Sequence, residues 1–131
     1  MLNKLSVRTS DYVAAIGVGD KLLTSLVGSA RGVAYAGSGK PLICRSVQSV
    51  ADLEDSVFDK VITPYSSHVN FRELIRVADH GAMVLVTYVP NDGDLCGIES
   101  YLERKGVFER WCLRRSKDDC VDLLFKVRKY D

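Results

Sequence analysis

Apolar positions along the chain fall into short runs separated by glycine and polar clusters, and strand-like and helix-like periods alternate. Val13-Ala14-Ala15-Ile16 is a short apolar run closed by Gly17-Val18-Gly19. Asp20 stands where a helix cap would, and Leu22, Leu23, Leu26 and Val27 follow at helical spacing, so a helix is expected that Gly28 ends. Val33-Ala34-Tyr35-Ala36 reads as a second strand, stopped by Gly37-Ser38-Gly39-Lys40-Pro41, a cluster that no helix would cross. Leu42-Ile43-Cys44 opens a third apolar run. Two parallel strands ordinarily need a crossover of about a dozen residues or more. Three arrangements therefore stay open: the third strand is displaced, the run lies outside the sheet, or the two strands pair antiparallel.

Val50 to Asp55 reads as a surface turn or short helical piece, and Phe58 to Thr63 as a strand ended by Pro64. Asn70 is a good N-cap for a helix carrying Phe71, Leu74, Ile75 and Val77 inward, with Gly81 closing it. Ala82 to Val89 is the strongest strand signal in the chain. Its apolar run has no alternation, which requires both faces to be covered, as at the centre of a parallel sheet. Ile98 to Lys105 reads as a helix capped by Gly106, and Phe108 to Arg114 with Cys120 to Lys129 as a closing antiparallel hairpin. Strands alternating with helices and ending in a hairpin define an α/β domain of three layers with a mixed, mostly parallel sheet. The first glycine turn lies where such folds bind ligands, at the carboxyl end of a strand entering a helix.

Composition narrows the function classes. The chain has 131 residues, 47% of them hydrophobic, with ten glycines and three prolines, enough for a core and too few breakers for a disordered or collagenous chain. Residues 1–131 read as one domain without a linker or repeat. No apolar run reaches the roughly 18–20 residues that a membrane span needs, and Met1 to Arg8 is too polar for a signal peptide, so a soluble, cytoplasmic chain without membrane contact is expected. The net charge is +1, spread evenly: seven basic and six acidic side chains in residues 1–65, eleven of each after that. Nucleic-acid binding needs a segregated basic patch. Arg110, Arg114, Arg115 and Lys117 cluster, but Asp118, Asp119 and Asp122 follow at once, and a solvated hairpin tip is the better reading. Cys44, Cys96, Cys112 and Cys120 lack zinc spacing, and His68 and His80 supply no finger pattern, so no metal site is expected. Cys112 and Cys120 flank a turn and can face one another across the hairpin, where a disulfide is geometrically possible, but free buried thiols are the better reading.

The order and spacing of these segments resemble those of class I S-adenosylmethionine-dependent methyltransferases. Gly17-Val18-Gly19 falls at the family's glycine-rich first motif. Phe58-Asp59 and the segment to His68 resemble its fourth strand and following loop. Leu74 to Val86 resembles the family's helix, turn and fifth strand, and Tyr101 to Phe108 the helix and turn entering the last hairpin. The resemblance covers about Val13 to Lys129 and implies a Rossmann-like fold. It also implies S-adenosylmethionine as cofactor, bordered by Gly17, Gly19 and Ser38, with Tyr65 and His68 facing a methyl acceptor.

Three departures affect the cofactor. Acidic residues expected before the first glycine, at the end of the second strand and after the third strand are replaced by Ala15, Ser38 and the stretch Cys44-Arg45-Ser46. The turn cluster before Leu42 leaves no room for the family's helix between the second and third strands. Ile62-Thr63-Pro64-Tyr65 lacks the polar first residue that amino-group methyltransferases carry there, so amine methylation is not supported. His68 has the ordinary titration range of a general base, although a loop histidine is more commonly just solvated. Trp111 reads as a packing residue, and Asp92 and Asp94 as part of a solvated turn.

The expectation is a minimal, degenerate methyltransferase-like domain that holds S-adenosylmethionine weakly or not at all. It would serve as an interaction or structural module with a protein partner or as a homodimer. An active methyltransferase of minimal size is one alternative. An unrelated α/β nucleotide or nucleic-acid binder is the other.

Overall fold

A computed structural model describes residues 6–37, 43–66, 69–90, 93–106, 109–114 and 120–129. The elements in chain order are β1 (Tyr12–Ile16), α1 (Asp20–Ser29), β2 (Gly32–Ala36), β3 (Arg45–Val47), a 3-10 turn (Val50–Asp52), β4 (Phe58–Pro64), α2 (Phe71–Val77), β5 (Ala78–Pro90), α3 (Gly93–Arg104), β6 (Glu109–Arg114) and β7 (Cys120–Lys126). They build one sheet of order β3-β2-β1-β4-β5-β7-β6. Neighbours from β3 to β5 pair parallel, and β7 runs antiparallel between β5 and β6. This is the mixed sheet with a closing hairpin that the sequence pattern predicts.

Successive residues of the central strands enter different cores, as the two-residue strand period requires. Val84 and Val86 of β5 join one apolar cluster and Leu85 the other, all three fully buried. Val61 and Ile62 of β4 divide the same way, as do Leu123 and Leu124 of β7. On the first face Leu74 and Val77 of α2, Leu95 and Leu102 of α3, and Leu53 after the 3-10 turn cover the sheet. On the second face Leu23 and Leu26 of α1 do so.

The third strand is displaced from the apolar run. Ile43 is half-exposed, and the strand begins at Arg45, pairing Ala34, Tyr35 and Ala36 with Arg45, Ser46 and Val47 in parallel. So short a strand makes a short connection workable. Three paired residues require the chain to travel back only about 7 Å along the strand axis before re-entering the sheet.

Other boundaries also move. Asp20 is the first residue of α1, not its cap; Gly19 holds the cap position, and the Asp20 carboxylate lies in the first turn, where the helix dipole favours it. Gly28 lies inside α1, whose last turn closes with the Ala30 N–H donating to the Leu26 carbonyl at 2.9 Å. Gly81 does not end α2. That helix stops at Val77, and Gly81 sits within β5 at φ +82°, its N–H donating to the Val127 carbonyl at 2.8 Å. The pairs Phe58↔Ala78 and Lys60↔Met83 show that β5 bulges there, and a left-handed residue is what glycine supplies. β5 continues through Pro90 and α3 starts at Gly93, so Asp94, expected in a solvated turn, lies in the first turn of a helix. Asp92 and the side chain of Asp94 lie outside the described residues.

Arg76 clamps the amino ends of the strands. Its guanidinium donates to the carbonyls of Leu53 (2.8 Å) and Val50 (2.9 Å) and pairs with Glu73 and Asp55. Glu73 first and Asp55 second hold it charged, raising its pKa above the ordinary arginine value. Lys129 adds a bond to the Arg76 carbonyl (2.9 Å) and one to Ser56 Oγ (2.7 Å), while burial pushes its pKa down. Arg76→Met leaves two carbonyls and two carboxylates without this partner. It is expected to lower stability by about 2 kcal/mol in urea unfolding.

The hairpin register overturns the facing cysteines. Cys112 lies opposite Leu123, three residues from Cys120, so their Cα atoms stand about 10 Å apart along the strand, past the roughly 7 Å limit for a disulfide. Cys120 is a free thiol. Mild oxidation followed by peptide mapping should give no bridge between Cys112 and Cys120.

Candidate functional site

The chain leaves β1 into α1 on one face of the sheet and leaves β4 into α2 on the other. β1 and β4 are neighbours, so their carboxyl ends part and open a crevice, the usual ligand position in sheets of this kind. A cavity of about 370 Å³ occupies it, with Ile16 and Gly17 on one side and Thr63, Tyr65, Ser66 and Asn70 on the other. Gly17 and Tyr65 are therefore brought together, as the resemblance implies.

Each wall has a local cause. Gly17 takes φ +64°, a conformation that turns the chain from β1 towards α1, and its N–H donates to the Ala36 carbonyl at 2.9 Å. That donor is thus committed to the fold. A Cβ at Gly17 or Gly19 would meet nothing within 4 Å, so space beside the turn is open. Across the crevice the Tyr65 N–H donates to the Thr87 carbonyl at 2.8 Å, which fixes the tyrosine at the rim. Asn70 caps α2 by accepting from the Glu73 N–H. Gly19 does not line the cavity; it sits one step away as the cap of α1. Ser38 and His68 lie outside the described residues, as do the side chains of Trp111 and of the basic cluster at Arg110, Arg114, Arg115 and Lys117.

None of the described residues lining the crevice carries a formal charge. The three strands beside it end in Ile16, Ala36 and Val47. With β3 displaced, the stretch following it is Gln48-Ser49 rather than Cys44-Arg45-Ser46, which corrects the third expected contact position. Arg45 is at the opposite end of β3, where it forms a paired interaction with Glu54 and holds that carboxyl below its ordinary pKa. Among the described residues, no three His, Cys, Asp or Glu side chains converge as a metal site would need.

Asn70 is the site residue that sequence reasoning recognised only as a cap. The signal was present: a cap that follows a strand by a few residues must sit at that strand's carboxyl end, on the crevice rim. Val50 also lines the cavity, reached through the 3-10 turn after the displaced β3.

No protein-family profile matches this chain, and no curated protein matches it. Solved structures do. The 1,6-didemethyltoxoflavin-N1-methyltransferase of Burkholderia thailandensis, solved with its substrate and S-adenosylhomocysteine, superposes with TM-score 0.70 at 13% identity, over 99% of this chain and 75% of its own. The precorrin-6y C5,15-methyltransferase of Geobacter metallireducens gives 0.71 at 16% identity, over 98% and 85%. An S-adenosylmethionine-dependent methyltransferase of Aquifex aeolicus gives 0.67 at 13%, over 95% and 85%. At such identities the likeness fixes the fold: this chain has the methyltransferase-like Rossmann fold. Among its described residues no helix is long and apolar enough to cross a membrane.

Gly17→Ala tests the turn. With open space around the added methyl, only the left-handed backbone is strained, and a loss of about 1 kcal/mol in thermal or urea unfolding is expected.

Proposed function

We propose that this chain is a methyltransferase-fold domain that does not transfer methyl groups and works as a binding or structural module for a protein partner or a second copy of itself. The want of charge among the described residues of the crevice carries this reading. S-adenosylmethionine brings an ammonium, a carboxylate, a sulfonium and two ribose hydroxyls, and each costs free energy to desolvate unless a polar group receives it. Ile16, Ala36 and Val47 at the three strand ends receive none of them, and the Gly17 N–H already has the Ala36 carbonyl as partner. A scaffold with both cores intact beside such a crevice fits assembly better than catalysis.

One observation favours the second reading, an active methyltransferase. The crevice is open at Gly17 and keeps Tyr65 at its rim, and an aromatic face there would steady a sulfonium. The structures with this fold include enzymes that act on small molecules with S-adenosylmethionine chemistry, the Burkholderia enzyme among them. In that reading Gly17 and Gly19 border the cofactor and Tyr65 faces the acceptor, with Ser38 and His68 completing the two sets.

Calorimetric titration with S-adenosylmethionine and S-adenosylhomocysteine separates the two readings. The module reading expects no saturable heat tighter than about 100 μM, near −5.5 kcal/mol. Tighter binding that Gly17→Val weakens about tenfold, with the fold retained by circular dichroism, would replace it with the enzyme reading.

A further inference from the structure

A second, larger cavity of about 680 Å³ opens beside the crevice, between the start of α2 and the middle of α3. It shares Tyr65 and Asn70 with the crevice and adds Phe71, Arg72, Ile98 and Tyr101. Its volume is in the range that takes a small organic molecule. The aromatic walls are anchored from behind. The Phe71 ring packs on the buried Phe125 ring, centroids 6.5 Å apart, and Tyr65, Ile98 and Tyr101 pack against the first core.

The polar groups here are donors. Arg72 is exposed and has no ion-pair or hydrogen-bond partner among the described residues, whereas Arg76, one turn on, is held by Glu73 and Asp55, and Arg45 by Glu54. The Asn70 carboxamide oxygen accepts from the Glu73 N–H, which leaves its NH₂ group as the donor side. The Lys105 ammonium lies 5.6 Å from the centre of the Tyr101 ring and adds positive charge at the far wall. Among the described residues no carboxylate lines the groove. Glu73 is turned to Arg76, and Glu99 and Glu103 on α3 have partners of their own.

We propose that this groove binds a small planar aromatic carboxylate, its ring against Phe71 and Tyr101 and its carboxylate on Arg72 and the Asn70 amide. A guanidinium matches a carboxylate in a two-point contact, and rings at the wall favour a flat apolar body. One unpaired arginine is too little for a polyanion, whose binding draws on many cations at once. The proposal goes beyond the module reading, because neither Arg72 nor Tyr101 lines the glycine crevice.

The test titrates naphthoate into the full chain, following backbone amide shifts by NMR and affinity by calorimetry. Saturable binding at about 1 mM or tighter, with shifts in α2 and α3, is expected. Neutral naphthylmethanol should bind about tenfold more weakly, R72Q should weaken naphthoate about tenfold without altering the alcohol, and Tyr101→Leu should weaken both. Equal affinity for acid and alcohol, an unchanged R72Q, shifts confined to other elements, or no binding up to about 10 mM would each overturn the proposal. Added S-adenosylmethionine should leave these results unchanged, which keeps their failure distinct from that of the module reading.

Discussion

The burial of β5 on both faces is the constraint from which the rest of the architecture follows. Val84, Leu85 and Val86 are fully buried, although neighbouring residues of a strand point to opposite sides of the sheet. Helices must therefore stand on both faces, and the parallel partner β4 must be reached by a crossover. Each buried valine or leucine contributes roughly 1.5–3 kcal/mol relative to exposure, so leaving either face bare would cost more than a domain of this size has to spare. The placement of α1 on one side, and of α2 and α3 on the other, satisfies that constraint. It also opens the crevice between β1 and β4.

The crevice and the groove beside it differ in chemistry. At the first, the Gly17 N–H is used by the fold, β1, β2 and β3 end in apolar residues, and the polar groups on the wall are the neutral side chains of Thr63, Tyr65, Ser66 and Asn70. At the second, aromatic rings are fixed against the core while an arginine and an amide point donors outward. Three other cations are matched within the chain: Arg76 and Arg45 are tied to carboxylates, and Lys60 pairs with Asp11 at 3.1 Å in a largely buried setting.

Elements governed by local pattern were legible in the sequence; those governed by pairing were not. The central strands, the Asn70 cap and the closing hairpin follow from periodicity and from one polar side chain at a helix start. β3 did not, because its residues Arg45-Ser46-Val47 have no strand pattern and are held by the edge of β2, while Ile43 before them is half-exposed. Gly81 looked like a helix terminator since a bulge and a helix end both need a left-handed residue. That Cys112 and Cys120 do not face one another was not legible, because a hairpin register depends on the turn between the strands, not on the residues that flank it. At the crevice, Gly17 was legible as a glycine at a strand end and Tyr65 through the family resemblance. The groove beside it was not legible, since a lone arginine such as Arg72 on a helix carries no signal until the aromatic wall next to it is known.

The position of β7 bears on how the sheet is assembled. It lies between β5 and β6, yet it follows β6 in the chain. β6 pairs with nothing else in the sheet, so as the polypeptide emerges it has no template until the following strand has arrived. Until then the β5 edge, rich in valine and leucine, stands open, and an unpaired apolar edge invites pairing with other chains. Between synthesis of β5 and capture of β7 the chain therefore carries an open apolar edge that the finished sheet covers.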